Sequence, residues 1–300
     1  MSELSSEVAG MLASLLRVSH TVGMAAIPSL VAEHANRVGL ADARIHVADI
    51  QERVLRELTS RGPDAAEGGA EVPIEATLPG RAYQLTQALT GSQDGRPRIW
   101  LPILDGTERL GVLSAEPSRD PAPCQEAMDA LTSLVGLLLV SKRGASDSYS
   151  RLTRRRPMSV SAEMQWTLMP QKTFTNGQVM ISAVMEPAYA TAGDAFDYAQ
   201  SDRVIHLAVF DSMGHDTAAG LAAALAVGTS RSHRRASAGL LDACESIDAT
   251  LAEQFSGTRY VTGLVADLDQ DTGHLTWVNR GHPPPVLIRG GQRSARTLCC

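Results

Sequence analysis

The sequence predicts a mixed protein, α/β in content and α+β in arrangement, with two modules in series. Three observations carry this. Helical and strand periodicities both recur along the 300 residues. Apolar, β-branched runs are bounded by turn signals such as Asp105-Gly106. A Ser- and Arg-rich stretch, Ser141 to Pro157, interrupts the apolar patterning near the middle. The length suffices for two ordinary cores. The expected division is a first module over residues 1–141, a basic helical linker over 142–171, and a second module over 172–300.

In the first module, Ser6 to His20 and Ala25 to Val38 carry apolar residues at helical spacing. Arg44 to Ile50 alternates as a half-buried strand, and Gln51 to Leu58 continues it after a break. Arg61 to Val72, rich in Gly, Ala and acid, is expected to be a mobile loop. Arg98 to Ile103 and Arg109 to Ser114 flank Asp105-Gly106 as a hairpin, and Cys124 to Val140 is a long amphipathic helix. His20, His34 and His46 stand alone, without acidic or cysteine partners in sequence, so surface or core positions are expected.

In the linker, Lys142, Arg143, Arg151, Arg154, Arg155 and Arg156 read as a solvated connector or exposed helix. The run lacks the interleaved aromatics of a nucleic-acid contact. Met158 to Leu168 is helical, with Val160, Met164 and Leu168 on one face, and Pro170 ends it.

In the second module, Gln178 to Met185 is expected to be the first strand, followed by a hairpin of Asp194 to Ala199 and Val204 to Phe210. Two small-residue helices come next, Thr217 to about Arg235 and about Ala238 to Phe255. Tyr260 to Leu268 and His274 to Val278 are strands about a turn, and another strand starts at Val286.

The formal charge of −6 and pI near 5.8 argue against a nucleic-acid partner. The N-terminus lacks a basic start and a sustained apolar block, and Leu134 to Val140 is the longest apolar stretch, so no membrane association and a cytoplasmic location are expected. Cys124, Cys244, Cys299 and Cys300 show no metal spacing.

The chemistry gathers around Ala192-Gly193-Asp194-Ala195-Phe196-Asp197, the strand Val204 to Phe210, and Asp211-Ser212-Met213-Gly214-His215-Asp216. Asp211 stands at a strand end, before a turn that Gly214 permits. Asp194 and Asp197 lie on the partner strand. Carboxylates of separate strands can thus meet at one end of a sheet, and hard divalent cations favour such oxygens. Taken singly, each Asp is better explained by a turn or a helix cap.

Jointly, these segments resemble the SpoIIE-type branch of the metal-dependent (PPM, type 2C) serine/threonine protein phosphatases. That family reads Gly-Gly-Asp-x-x-Asp and Asp-x-Met-Gly-His-Gly, against Ala192 and Asp216 at the variant positions here. Asn279-Arg280-Gly281-His282-Pro283-Pro284 is similar to its Asn-Ala-Gly-His-Pro-Pro segment. The resemblance implies a β-sandwich flanked by helices and two Mn2+ or Mg2+ ions. By the same resemblance Asp211 is the bridging ligand, Asp194 serves one ion, and the Ser212 carbonyl completes the edge. Asp197, Gly193 and Gly214 would support the site. Met213 stands where eukaryotic members carry a His with a proposed acid role, so no general acid is assigned; His215 and His282 are expected to be structural. The implied substrate is a phosphoserine or phosphothreonine on a regulatory protein, such as an anti-sigma-factor antagonist. The family's later metal-binding Asp residues have no counterpart before Cys300, so an incomplete domain is expected.

The helix, strand, loop, hairpin and long-helix order of the first module, with Leu78-Pro79-Gly80-Arg81-Ala82-Tyr83, resembles a GAF domain. That implies sensing of a small molecule or formation of a homodimer, with a dimerisation and packing module that binds no ligand equally open. Two other functions compete for the chain as a whole: a catalytically dead phosphatase-like binding regulator, and phosphoryl acceptance on Asp211. The second is disfavoured because no Lys follows Lys172.

Overall fold

The computed structural model describes residues 5–118, 121–186, 188–190 and 193–293, the side chains at 121–123 and 292–293 excepted. Ala192, Cys299 and Cys300 lie outside the described residues. The chain forms two compact units, Met1–Arg156 and Pro157–Cys300. Both are mixed α and β, as the sequence predicts.

The first unit holds helices α1 (Ser6–Ser19) and α2 (Ile27–Arg37), strands β1 (Leu40–Ala48), β2 (Val54–Glu57) and β3 (Glu71–Pro73), and helix α3 (Leu78–Leu85). Strands β4 (Leu89–Gln93), β5 (Arg96–Asp105) and β6 (Glu108–Pro117) follow, then helices α4 (Pro121–Arg143) and α5 (Asp147–Thr153). The six strands form one antiparallel sheet in the order β3-β2-β1-β6-β5-β4. Its main core joins Leu15 of α1, Val31 of α2, and Met128, Leu131 and Val135 of α4 to Ile45 and Leu113 of the sheet. A smaller core seats Tyr83 of α3 on Leu55, Trp100 and Val112. Among the described residues, α4 alone is long and apolar enough to cross a bilayer, yet half of its most apolar window is buried in this unit.

Two expectations are corrected here. The Ser141–Pro157 stretch is not a solvated linker, because α5 inserts Tyr149 and Leu152 into the main core. The loop expected to be mobile is tied down, with Ala65 buried and Asp64 on Arg56 at 2.6 Å. His34 and His46 are core residues.

The second unit begins with α6 (Val160–Leu168) and the hairpin β7 (Thr173–Thr175) and β8 (Met180–Ser182). Strand β9 (Asp194–Ser201), strand β10 (Val204–Ser212), helices α7 (Thr217–Arg235) and α8 (Leu240–Phe255), and strands β11 (Val261–Asp269) and β12 (Leu275–Arg280) follow. A short hairpin closes the described chain, β13 (Ile288–Arg289) with β14 (Gln292–Arg293). The main sheet is antiparallel, in the order β12-β11-β10-β9. Helices α7 and α8 cover one face, packing Ala222, Ala226 and Leu251 on Ala208, Phe210 and Val265. On the other face, Phe174 of β7 stacks on Tyr198, and the Tyr198 hydroxyl donates to the Gln171 carbonyl at 2.8 Å.

The expected first strand over Gln178 to Met185 shortens to β8. The apolar face expected of α6 holds only at Leu168, which packs on the core of this unit. Val160 is 71% exposed and Met164 39%, while Ser161, Ala162 and Gln165 are buried.

Candidate metal centre

The site is set by one register. The two-residue turn Asp202-Arg203 joins β9 to β10, pairing Ser201 with Val204, and alternation then carries the pairing to Asp194 opposite Asp211. Thr262 of β11 is the next residue in the same row. The two carboxylates therefore share one end and one face of the sheet, away from α7 and α8.

Electrostatics agrees with the geometry. The Asp194 carboxyl is pushed above the usual carboxylate value, first by burial and then by the charge of Asp211, with His282 opposing. Two negative groups held together without a compensating proton or cation are unfavourable. His282 reaches this end through its own loop. Its Nδ1 lies 3.2 Å from Thr262 Oγ1, its amide donates to Asn279 Oδ1 at 2.9 Å, and its carbonyl accepts from Asn279 Nδ2 at 2.8 Å.

The backbone around Asp211 is fixed tightly. The Ser212 amide donates to the Gly193 carbonyl at 3.0 Å, and the buried Ser212 hydroxyl donates to the Ala219 carbonyl at 2.9 Å. A Cβ on Gly193 would lie 2.3 Å from the Ser212 oxygen, so only glycine lets β9 approach here. Gly214 takes φ of 97°, which glycine adopts freely. Arg259 bridges the same loop, donating to the Met213 carbonyl at 3.1 Å and pairing with Asp216 at 2.6 Å. Asp216 also caps α7 through the Ala219 amide.

Asp197 is not part of this cluster. It is buried on the opposite face, held by Arg231 at 2.7 Å and Arg234 at 2.8 Å. His215 is exposed in the turn. Among the described residues, no set of three His, Cys, Asp or Glu side chains converges to hold a metal. The Asp194–Asp211 pair is an oxygen donor set of the kind that suits Mg2+ or Mn2+. Residues 201–298 match the family model of stage II sporulation protein E (SpoIIE).

The similarity to the SpoIIE family lies wholly within the second unit. The SpoIIE family is a phosphatase family, generally metal-dependent. The matched stretch includes Asp211, Ser212 and His282, while Gly193 and Asp194 precede it. No curated protein matches the chain. Among solved structures, the N-terminal part has GAF-domain neighbours. One is the GAF domain of an Acinetobacter phosphoenolpyruvate-protein phosphotransferase, 11% identical over 48% of this chain and 98% of that one, with a TM-score of 0.38. Another is the GAF domain of the Coxiella burnetii phosphoenolpyruvate-protein phosphotransferase, 12% identical over 46% of this chain and 95% of that one, also with a TM-score of 0.38.

Sequence reasoning set His282 aside as a packing residue and did not reach Thr262, Arg259 or Gln165. Gln165 of α6 donates from Nε2 to the Asp194 carbonyl at 3.2 Å. The signal for His282 was present in the Asn279 to Pro284 segment, but nothing local shows that the loop folds back onto Thr262.

Proposed function

We propose that the second unit is a Mn2+- or Mg2+-dependent phosphoprotein phosphatase. Its substrate is a phosphoserine or phosphothreonine on a regulatory protein of the anti-sigma-factor-antagonist kind. The observation supporting this is the direct cross-strand opposition of Asp194 and Asp211. Asp211 and Asp194 would hold the cation with the Ser212 carbonyl, Gly193 and Gly214 shaping the backbone around them. When bound, such cations acidify water and neutralise phosphoryl oxygens. His282, beside Asp194, orients groups at the open face of the pair. Asp197 anchors β9 to α7.

The proposed division keeps a GAF-like part over 1–141 and a phosphatase part over 172–300, with 142–171 split between α5, which belongs to the first core, and α6, the connector proper. The first part responds to a small molecule or pairs two copies of the chain. The contact of α6 with the Asp194 carbonyl gives the connector a direct hold on the proposed ligand strand.

The test is phosphate release from an aryl phosphate and from a serine-phosphorylated protein, with and without Mn2+. Mn2+-dependent turnover that Asp211→Asn removes is expected. Turnover unchanged in Asp211→Asn overturns the site assignment.

A further inference from the structure

Two consecutive peptide groups follow Ser212, and the short segment before β11 holds both. The Met213 amide donates to the Tyr260 carbonyl at 3.1 Å. In a trans peptide the N–H and C=O point in opposite directions, so this bond turns the Ser212 carbonyl toward β9. There the oxygen lies close to Gly193, on which a Cβ would meet it at 2.3 Å. The next carbonyl, that of Met213, accepts from Arg259 Nη1 at 3.1 Å.

Arg259 has a second hold. Its Nη2 pairs with Asp216 Oδ2 at 2.6 Å, while Asp216 Oδ1 accepts from the Ala219 amide at 2.9 Å. One carboxylate thus ties Arg259 to the start of α7. Between the two anchor points stands Gly214, at φ of 97°. Glycine restrains its own backbone less than any other residue. The path of this loop is therefore set by the Arg259 fork and not by local backbone preference. Asp216 is one of the two positions at which this chain departs from the SpoIIE-type pattern, so the pair is a feature of this chain. Asp216 is 56% exposed and Arg259 22%. Exposed pairs of this kind add little to global stability. What this one fixes is the direction of a carbonyl.

We infer that Arg259 is a positioning residue for the cation site. It acts through Met213 and Asp216, holding the Ser212 carbonyl beside Asp194 and Asp211 without touching the cation. The inference rests on the cation reading proposed above.

The experiment titrates the full chain with Mn2+ by calorimetry and reads the metal-free thermal midpoint and phosphate release from an aryl phosphate. The calorimetric arm reads the cation whether or not phosphate is released. Arg259→Ala should weaken Mn2+ binding about tenfold, as loss of a group that orients a metal ligand does. Its turnover should recover at saturating Mn2+, and its metal-free midpoint should hardly move. Arg259→Lys keeps the charge and loses the fork, so its Mn2+ affinity should fall between the two. Asp216→Asn keeps the α7 cap and loses the ion pair, and should also bind Mn2+ more weakly. A lower metal-free midpoint in Arg259→Ala with unchanged Mn2+ affinity would mark a merely structural role and overturn the inference. Should Arg259→Ala fail to fold, Arg259→Lys and Asp216→Asn decide on the same reading. A starting chain indifferent to Mn2+ overturns the cation site, and the role of Arg259 with it. A starting chain that binds Mn2+, matched by all the folded variants, overturns the role of Arg259 alone.

Discussion

Asp194 and Asp197 sit three residues apart on β9 and point to opposite faces of the sheet. Asp194 meets Asp211 across the strand pair, whereas Asp197 is gripped by Arg231 and Arg234 of α7. Two similar substitutions should therefore separate function from stability. Asp194→Asn should cut metal-dependent turnover about 100-fold or more while leaving the thermal midpoint nearly unchanged. Asp197→Asn should cost about 3 kcal/mol of stability, because it strands two arginines around a buried amide. Paired denaturation curves and phosphatase assays check this. Equal effects on both readouts would remove the distinction.

Cation binding should depend on pH in a direction fixed by Asp194. Burial, and then the Asp211 charge, raises its carboxyl, so the fold favours the protonated form. That stabilising contribution is full below the ordinary value of 3.8 and disappears as pH rises through the folded value. The two facing carboxylates repel each other when both are charged, and a divalent cation relieves that repulsion. Mn2+ should raise the thermal midpoint at pH 7.5, with a concentration dependence, and have little effect at pH 4. Asp211→Asn should remove the response at pH 7.5. A midpoint insensitive to Mn2+ at both pH values would contradict the assignment.

Gly193 answers to space rather than to backbone angle. Alanine there brings a Cβ to 2.3 Å from the Ser212 oxygen and 3.0 Å from the Gly214 oxygen, both on the backbone. Gly193→Ala should cost about 1–3 kcal/mol through forced displacement and should impair Mn2+ binding with it. Gly228→Ala is the control. Position 228 lies inside α7 with nothing within 4 Å, so alanine should add roughly 0.5–1 kcal/mol.

The site was legible where local pattern and global fold agree. The β-branched run at Val204 and the small-residue run after Asp216 make β10 and α7 readable, and the short Asp202-Arg203 turn fixes the parity that sets Asp194 against Asp211. Helix α6 is only partly legible from its apolar spacing, because Leu168 and Trp166 pack on the core while Gln165 is held by a polar contact. Gln165 bonds the Asp194 carbonyl, and the Trp166 indole donates to the Ala188 carbonyl at 2.9 Å, so the apolar stripe of Val160 and Met164 faces outward. His282 was undervalued because its place depends on an isolated bridge, Gly263 to Gly281, between residues distant in sequence. Tyr149 and Leu152 were lost among the arginines of a basic run, although their burial makes that segment part of the first core.

The first unit should weaken in mild acid through His46. Burial lowers its pKa from 6.5 to about 4, assisted by the charges of Arg44 and Arg98 and opposed by Glu57. A buried neutral imidazole stabilises the fold fully above pH 6.5, and that contribution falls as pH drops toward 4. The loss across this window is on the order of 3 kcal/mol. Asp42 cannot supply it. Burial opposes its ionisation, but the hydrogen bonds and charges of Arg44 and Arg98 hold it below 3.8, so its own loss comes at lower pH. Hydrogen exchange of β1 and β6 amides, corrected for intrinsic rates, should show protection falling between pH 6.5 and 4.5. His46→Gln should flatten that dependence while leaving the β10 and β11 amides unaffected. Undiminished pH dependence in the variant would place the titrating group elsewhere in the first unit.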